Sequence, residues 1–184
     1  MSFAKNILLL IALPPYGWER IEKDSVPSRV LLSRMFYPML GVLALTAFAR
    51  LIYSVNVTVA QCAVGAIIDY VMFFAGYLLS GYVLTSFFPK VAKDADAVNR
   101  INTAIVYSML ILVVLNIIDN LLPTPWVFIK IFYLYVLYVA QKSASYLGVP
   151  QNDIYLYLMG ALVILFPLFV EFVLDRLLSL AAVA

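Results

Sequence analysis

The chain has 184 residues, 65% of them hydrophobic and 12% charged, with a net charge of +2 and a mean hydropathy of +1.02. Soluble domains are about half apolar, so lipid is the solvent this composition fits, and no basic patch with interleaved aromatics points to nucleic acid. With no histidine and one cysteine, Cys62, Ser-His-Asp catalysis, histidine-held zinc or haem and an internal disulfide are excluded. Neither GxxxxGK[ST] nor GxGxxG occurs, so no nucleotide loop and no cofactor are expected.

Taken in chain order, Lys5 followed by ILLLIAL imitates a secretory signal, but Pro14-Pro15 stands where a small-x-small cleavage site belongs. The apolar part is about seven residues, too short to cross ~30 Å of hydrocarbon. It reads as an interfacial or re-entrant piece, followed by a short helix over GWERIEKD with Pro15 in its first turn. Trp18 is then expected at headgroup level, with Arg20 and Lys23 facing an anionic leaflet. Residues 1–36 make up this cytoplasmic or interfacial segment, interrupted at Ser25-Val26-Pro27.

Five apolar stretches follow, at about 37–57, 62–88, 101–122, 127–147 and 154–176. A helix needs about 20 apolar residues to span a bilayer. The runs are continuous, without the alternation of a β-barrel strand. The expected fold is all-α: a polytopic membrane protein, one domain over 1–184, with five transmembrane helices and an N-terminal interfacial helix. In the second span, Gly76–Ser80 and Gly81–Thr85 are small-xxx-small pairs that let helices approach closely, within the bundle or between copies. The fourth span carries Tyr133, Tyr135, Tyr138 and Tyr146, whose hydroxyls need partners or an interface.

Lysine and arginine give the orientation. Lys5, Arg20, Lys23, Arg29 and Arg34 precede or open the first span, Lys90, Lys93 and Arg100 lie between spans two and three, and Lys142 lies between four and five. The opposite connections, SVNVTVAQ and LPTP, carry no lysine or arginine, although Lys130 and Arg176 lie just inside helix ends on that side. The N-terminus is therefore expected in the cytoplasm and the C-terminus outside. Asn56-Val57-Thr58 is a glycosylation sequon on the outer side, close to the membrane.

Ionisable groups inside spans face the bundle or a cavity. Arg50, Asp69, Asn116, Asp119, Glu171 and Asp175 all fall in the outer part of the membrane, with Asn120 and Lys130 beside them. Arg50 is expected to pair with Asp69, Glu171 or both, and Lys130 to pair with Asp119 across the LPTP turn. Pro167, one turn before Glu171, is expected to kink the fifth span and free a carbonyl. The cluster reads either as a structural clip or as an outward polar vestibule for a proton, an ion or a small solute.

The insert FFPKVAKDADAVNRINT has Pro89 as a stop, with Asp94 or Asp96 as the cap of a helix running through Arg100 into the third span. Asp96 and Arg100 stand at i,i+4 spacing for an ion pair. Asp94-Ala95-Asp96 lacks the third ligand and glycine of a calcium loop, so no metal is expected. Trp18, Arg20, Lys23, Lys90 and Lys93 together make a basic cytoplasmic face for anionic lipid or a membrane or cytoplasmic protein partner.

The chain resembles the Yip-domain family, the Ypt/Rab-interacting type of five-span membrane protein, in its bacterial branch. The residues that carry the resemblance are Pro15, Trp18 and Ile21, the GYLLSGY of the second span, and FFPKV…INTAIVYSM leading into the third. The resemblance implies a five-span, N-in protein of the bacterial inner membrane with no catalytic residues. The long soluble N-terminal region and the Asp-Leu-Tyr-Gly-Pro motif of trafficking members are absent, so Rab binding is not implied. The expected function is a non-enzymatic membrane adaptor or organiser. The alternative is a small transporter or channel built on the outer polar cluster.

Overall fold

The computed structural model describes residues 3–54, 56–123, 127–151 and 153–181. All regular structure among them is helical. Four helices are long and apolar enough to cross a membrane: α3 (Ser28–Tyr53), α4 (Val59–Phe87), α5 (Ala95–Leu121) and α9 (Ile154–Ala181). These describe an integral membrane protein. Before them, α1 (Phe3–Ala12) and α2 (Pro14–Asp24) form a helical hairpin. Between α5 and α9 stand three short helices, α6 (Val127–Phe132), α7 (Tyr135–Lys142) and α8 (Ala144–Leu147).

One expected boundary is corrected, and the expected cap of the third helix is found at Asp94. The first span begins at Ser28, directly after Pro27, rather than at 37. Pro38 does not stop it. Proline has no N–H for the carbonyl of Arg34, and the helix absorbs the loss in a wide π turn over Leu32–Phe36, with the Tyr37 N–H reaching back to Leu32. The third helix takes in the polar insert from Ala95 onward, where Asp94 caps it by accepting from the Ala97 N–H at 2.7 Å. The threonine of the sequon shapes the fold directly, since Thr58 closes a capping box with Gln61 at the start of α4.

The expected fourth span is not one helix. Around Tyr133-Leu134 and again at Ser143, i→i+3 bonds replace the α ladder (Leu134 to Ile131, Val136 to Tyr133, Ser143 to Ala140). The three pieces still run the length of the bundle. Tyr133 meets Asn116 near the end of α5, whereas Tyr146 stacks on Trp18 of the hairpin, centroids 5.4 Å apart. Phe88, just past α4, meets Tyr155 at the start of α9 at 5.2 Å. One end of the bundle, the hairpin end, thus holds the starts of α3, α5 and α9. The other, the polar end, holds the ends of α3 and α5 and the start of α4.

Helix α5 is the central post. Every residue from Thr103 to Val113 is buried, which marks a helix surrounded on all sides. Helix α9 packs chiefly along α4. Gly76 makes that approach possible: a Cβ there would lie 2.7 Å from Cγ of Pro167, which sits inside the continuous helix α9. The Gly76–Ser80 pair of the second span is therefore used within the bundle.

Gly76→Ala is expected to lower stability by about 1–3 kcal/mol, the usual range for overpacking. Gly76→Ala combined with Pro167→Ala is expected to recover part of that loss, as coupled neighbours do. Thermal unfolding of the four proteins of this cycle in one detergent measures the coupling; additive losses would show that the two residues do not meet.

Candidate functional site

At the polar end, side chains of α3 and α4 converge on Asn120 of α5. This residue is 3% exposed. Its Oδ1 accepts from Nη2 of Arg50 at 2.9 Å, and its Nδ2 donates to Oδ2 of Asp69 at 2.8 Å and to Oγ1 of Thr46 at 3.4 Å. The charges on either side fix which way the amide points. The backbone carbonyl of Asn120 lies in the last turn of α5, and the Tyr53 hydroxyl donates to it. One turn deeper, Nδ2 of Asn116 donates to the Tyr133 hydroxyl at 2.6 Å.

The direct Arg50–Asp69 or Arg50–Glu171 pair expected from the sequence does not form. The one ion pair within 4.0 Å among the described residues is Lys23–Glu19, on the surface of α2. Asn120 instead stands between the guanidinium and the carboxylate and hydrogen-bonds both. A bridging amide saves the full desolvation of a contact ion pair while leaving each charge a strong partner. Glu171 is half-buried and within electrostatic reach of Asp69 and Tyr133. Asp175 is exposed, and Arg176 lies over the Phe172 ring at 5.4 Å. Oδ1 of Asp119 is buried with no hydrogen-bond partner among the described residues. The side chain of Lys130 and part of the LPTP turn lie outside the described residues, so the expected Lys130–Asp119 pair does too. Arg50, Tyr53, Ser54, Asp119, Leu122 and Pro123 line a cavity of about 310 Å³ beside this network.

At the hairpin end, Trp18 overturns its expected place at headgroup level. It is fully buried, edge-on to Tyr107 and stacked on Tyr146. Its indole N–H donates to the Val139 carbonyl at 2.9 Å. That carbonyl is available because the Ser143 N–H turns back to Ala140 instead. The break in the fourth segment and the tryptophan of the first thus satisfy each other. The hairpin reaches far along the bundle: the Tyr135 hydroxyl donates to the Ile11 carbonyl at 2.8 Å, and Asn6, 2% exposed, donates to Tyr107 at 3.3 Å and to Asp24 at 3.1 Å. Tyr107 is twelve residues into α5, ~18 Å along its axis at 1.5 Å per residue. Leu8, Ile11, Leu13 and Tyr16 of the hairpin are turned outward. The hairpin closes on Gly17, whose added Cβ would meet the Leu10 backbone at 2.9 Å.

Of the expected basic face, Arg20 is half-buried and donates through Nε to Asn6, Lys23 is tied to Glu19, and Lys90 and Lys93 are exposed. Arg100 makes no ion pair with Asp96; its Nη1 reaches the Tyr146 carbonyl at 3.4 Å. Asn6, Thr46, Tyr53 and Asn99 take part in these networks without a sequence signal that marks them; Oδ1 of Asn99 accepts from the Ser28 N–H at 2.7 Å. One signal was present for Trp18: Pro14, Gly17, Trp18 and Ile21, the buried residues of α2, follow the i, i+3, i+4, i+7 pattern of a packed face. No group of three or more Cys, Asp or Glu placed to hold a metal ion occurs among the described residues.

Comparison with family models, with curated proteins and with solved structures found no match.

Asn120→Leu is expected to destabilise the protein by about 1–3 kcal/mol, because it takes the amide donor from half-buried Asp69, whereas Arg50 is exposed at the cavity. Trp18→Phe keeps the ring contact but leaves the Val139 carbonyl unpaired, an expected loss of about 1–3 kcal/mol. Thermal unfolding in detergent measures both, and a Trp18→Phe protein as stable as the parent would remove the indole N–H from the hairpin's anchorage.

Proposed function

We propose that the chain is a non-enzymatic membrane protein of the Yip-domain type, crossing the bilayer five times with its N-terminus in the cytoplasm. In this reading the hairpin end lies at the inner face of a bacterial plasma membrane. There the protein acts as an adaptor or organiser that holds anionic lipid or a protein partner. The observation that carries the reading is the distribution of exposed cations. Lys5, Lys23, Arg29, Arg34, Lys90, Lys93 and Arg100 are exposed and belong to the hairpin, the start of α3, the α4–α5 connection and the first turns of α5, against Arg50 and Arg176 exposed at the other end among the described residues. An anionic leaflet attracts each such group by about 1 kcal/mol. Support for the fifth crossing comes from the path of α6, α7 and α8 between opposite ends of the bundle.

Single-cysteine labelling in a Cys62→Ser background tests this arrangement. Asn56→Cys and Leu121→Cys are expected to react with an impermeant maleimide on intact cells, and Ser25→Cys and Gln151→Cys only after permeabilisation. Leu121→Cys and Gln151→Cys reacting from the same side would eliminate the crossing between them, and a reversed pattern would move the basic end outside.

A second reading has its own observation, the cavity of about 310 Å³ into which Arg50 and Asp119 are built. As a solute, ion or proton site open at the outer face, it makes the protein a small transporter. Proteoliposomes with imposed proton or cation gradients are then expected to show a flux that Asp119→Asn in the cavity wall and Asp69→Asn in the adjoining network each lower severalfold. No flux above empty liposomes, or a flux indifferent to both changes, rejects that reading.

A further inference from the structure

Between α4 and α5, near the hairpin end, a lipid-facing groove of about 220 Å³ is lined by Leu78, Gly81, Tyr82, Thr85, Val98 and Asn102. Gly81 opens it: the nearest atom to a Cβ there would be Oδ1 of Asn102, at 3.2 Å. The walls mix apolar surface with the polar groups of Tyr77, Tyr82 and Asn102. Leu78 and Tyr82 are 51% and 67% exposed, and the Thr85 hydroxyl is spent on the Gly81 carbonyl at 2.7 Å. Exposed apolar walls are ordinary where lipid is the solvent, and alone they indicate nothing.

Two further features select an occupant. The Asn102 side-chain amide lines the groove and makes no hydrogen bond within the described residues. At membrane depth an amide without a partner is unfavourable, and hydrocarbon supplies none. It lies seven residues into α5, ~10 Å from that helix's start at 1.5 Å per residue. With the hairpin end at the inner face, as proposed above, this depth corresponds to the ester and glycerol region. The second feature is charge. Lys90 and Lys93 are exposed on the short connection between these same two helices. Thr85 stands five residues before Lys90, and Val98 five after Lys93. The acidic residues of the connection point elsewhere. Asp94 caps α5, and Asp94 and Asp96 line a separate cavity with Arg100 and Leu147. Residues 96 and 100 stand about 200° around the helix from 98 and 102, at 100° per residue.

We propose that this groove is a binding site for one anionic phospholipid. Its acyl chain lies along Leu78 and Tyr82, its glycerol ester oxygens accept from Asn102, and its phosphate meets Lys90 and Lys93. The proposal rests on the reading that the hairpin end faces an anionic leaflet, and it adds a discrete, saturable site to that diffuse attraction.

Native mass spectrometry of the purified full chain, titrated in detergent with phosphatidylglycerol or phosphatidylcholine, tests it. The parent protein is expected to retain one phosphatidylglycerol at concentrations where phosphatidylcholine is not retained. Lys90→Ala with Lys93→Ala is expected to weaken retention by roughly tenfold or more, at about 1 kcal/mol per lysine. Asn102→Leu and Tyr82→Ala are expected to weaken it as well, Tyr82 being exposed enough for its loss to leave folding intact. Thermal unfolding without added lipid confirms that each variant is folded. Equal retention of the two lipids by the parent overturns both this site and the anionic-leaflet reading. Selective retention that survives all three variants but is lost on neutralising Arg29 and Arg34 overturns the groove alone.

Discussion

Hydrocarbon offers no hydrogen bonds, so a polar group within the bundle is stabilised strongly by any partner the protein supplies. This constraint explains both networks. A backbone carbonyl that loses its helical donor appears at each end of the molecule: that of Asn120, where α5 stops, and that of Val139, where the fourth segment tightens. A side chain from a distant part of the chain closes each one, Tyr53 for the first and Trp18 for the second. The irregular backbone and the long-range contacts are thus the same phenomenon seen from two sides.

The asparagines do more of this work than the charges. Asn120 joins α3, α4 and α5, Asn6 joins both arms of the hairpin to α5, Asn99 holds the start of α3, and Asn116 holds the Tyr133 turn. An amide both donates and accepts, so it can stand between unlike neighbours without the desolvation penalty of a buried ion. Formal charges then remain where they reach a cavity or an interface, as Arg50, Lys90 and Lys93 do.

The long apolar runs made α4, α5 and α9 legible, because length and continuous hydropathy are properties of the local sequence. Helix α3 was legible only in part. Pro38 and two arginines resemble a boundary, and whether a helix ends there or absorbs the proline in a π turn depends on neighbours that the local pattern does not encode. The fourth segment shows the same limit. It contains neither proline nor glycine from Val127 to Leu147, yet it departs from the α ladder twice, because Trp18 and Asn116 reward the departure. The grouping of the outer polar residues could be read from their depth along each helix. Their pairing could not, since Asn120 intervenes only once the order of helices around α5 is set.

The hairpin also has a consequence in time. Trp18 docks on Val139, 121 positions later in the chain, and Ile11 on Tyr135, 124 positions later. At the usual ~5–20 residues per second of synthesis, the first helices wait about 6–25 s for their binding place to exist. Until then the ribosome has released an amphipathic, tryptophan-bearing segment with Arg20 and Lys23 beside it and no protein to pack on, and such a segment rests at the headgroup layer. The hairpin can be fitted only after the residues that it packs on, more than a hundred positions later, have been made.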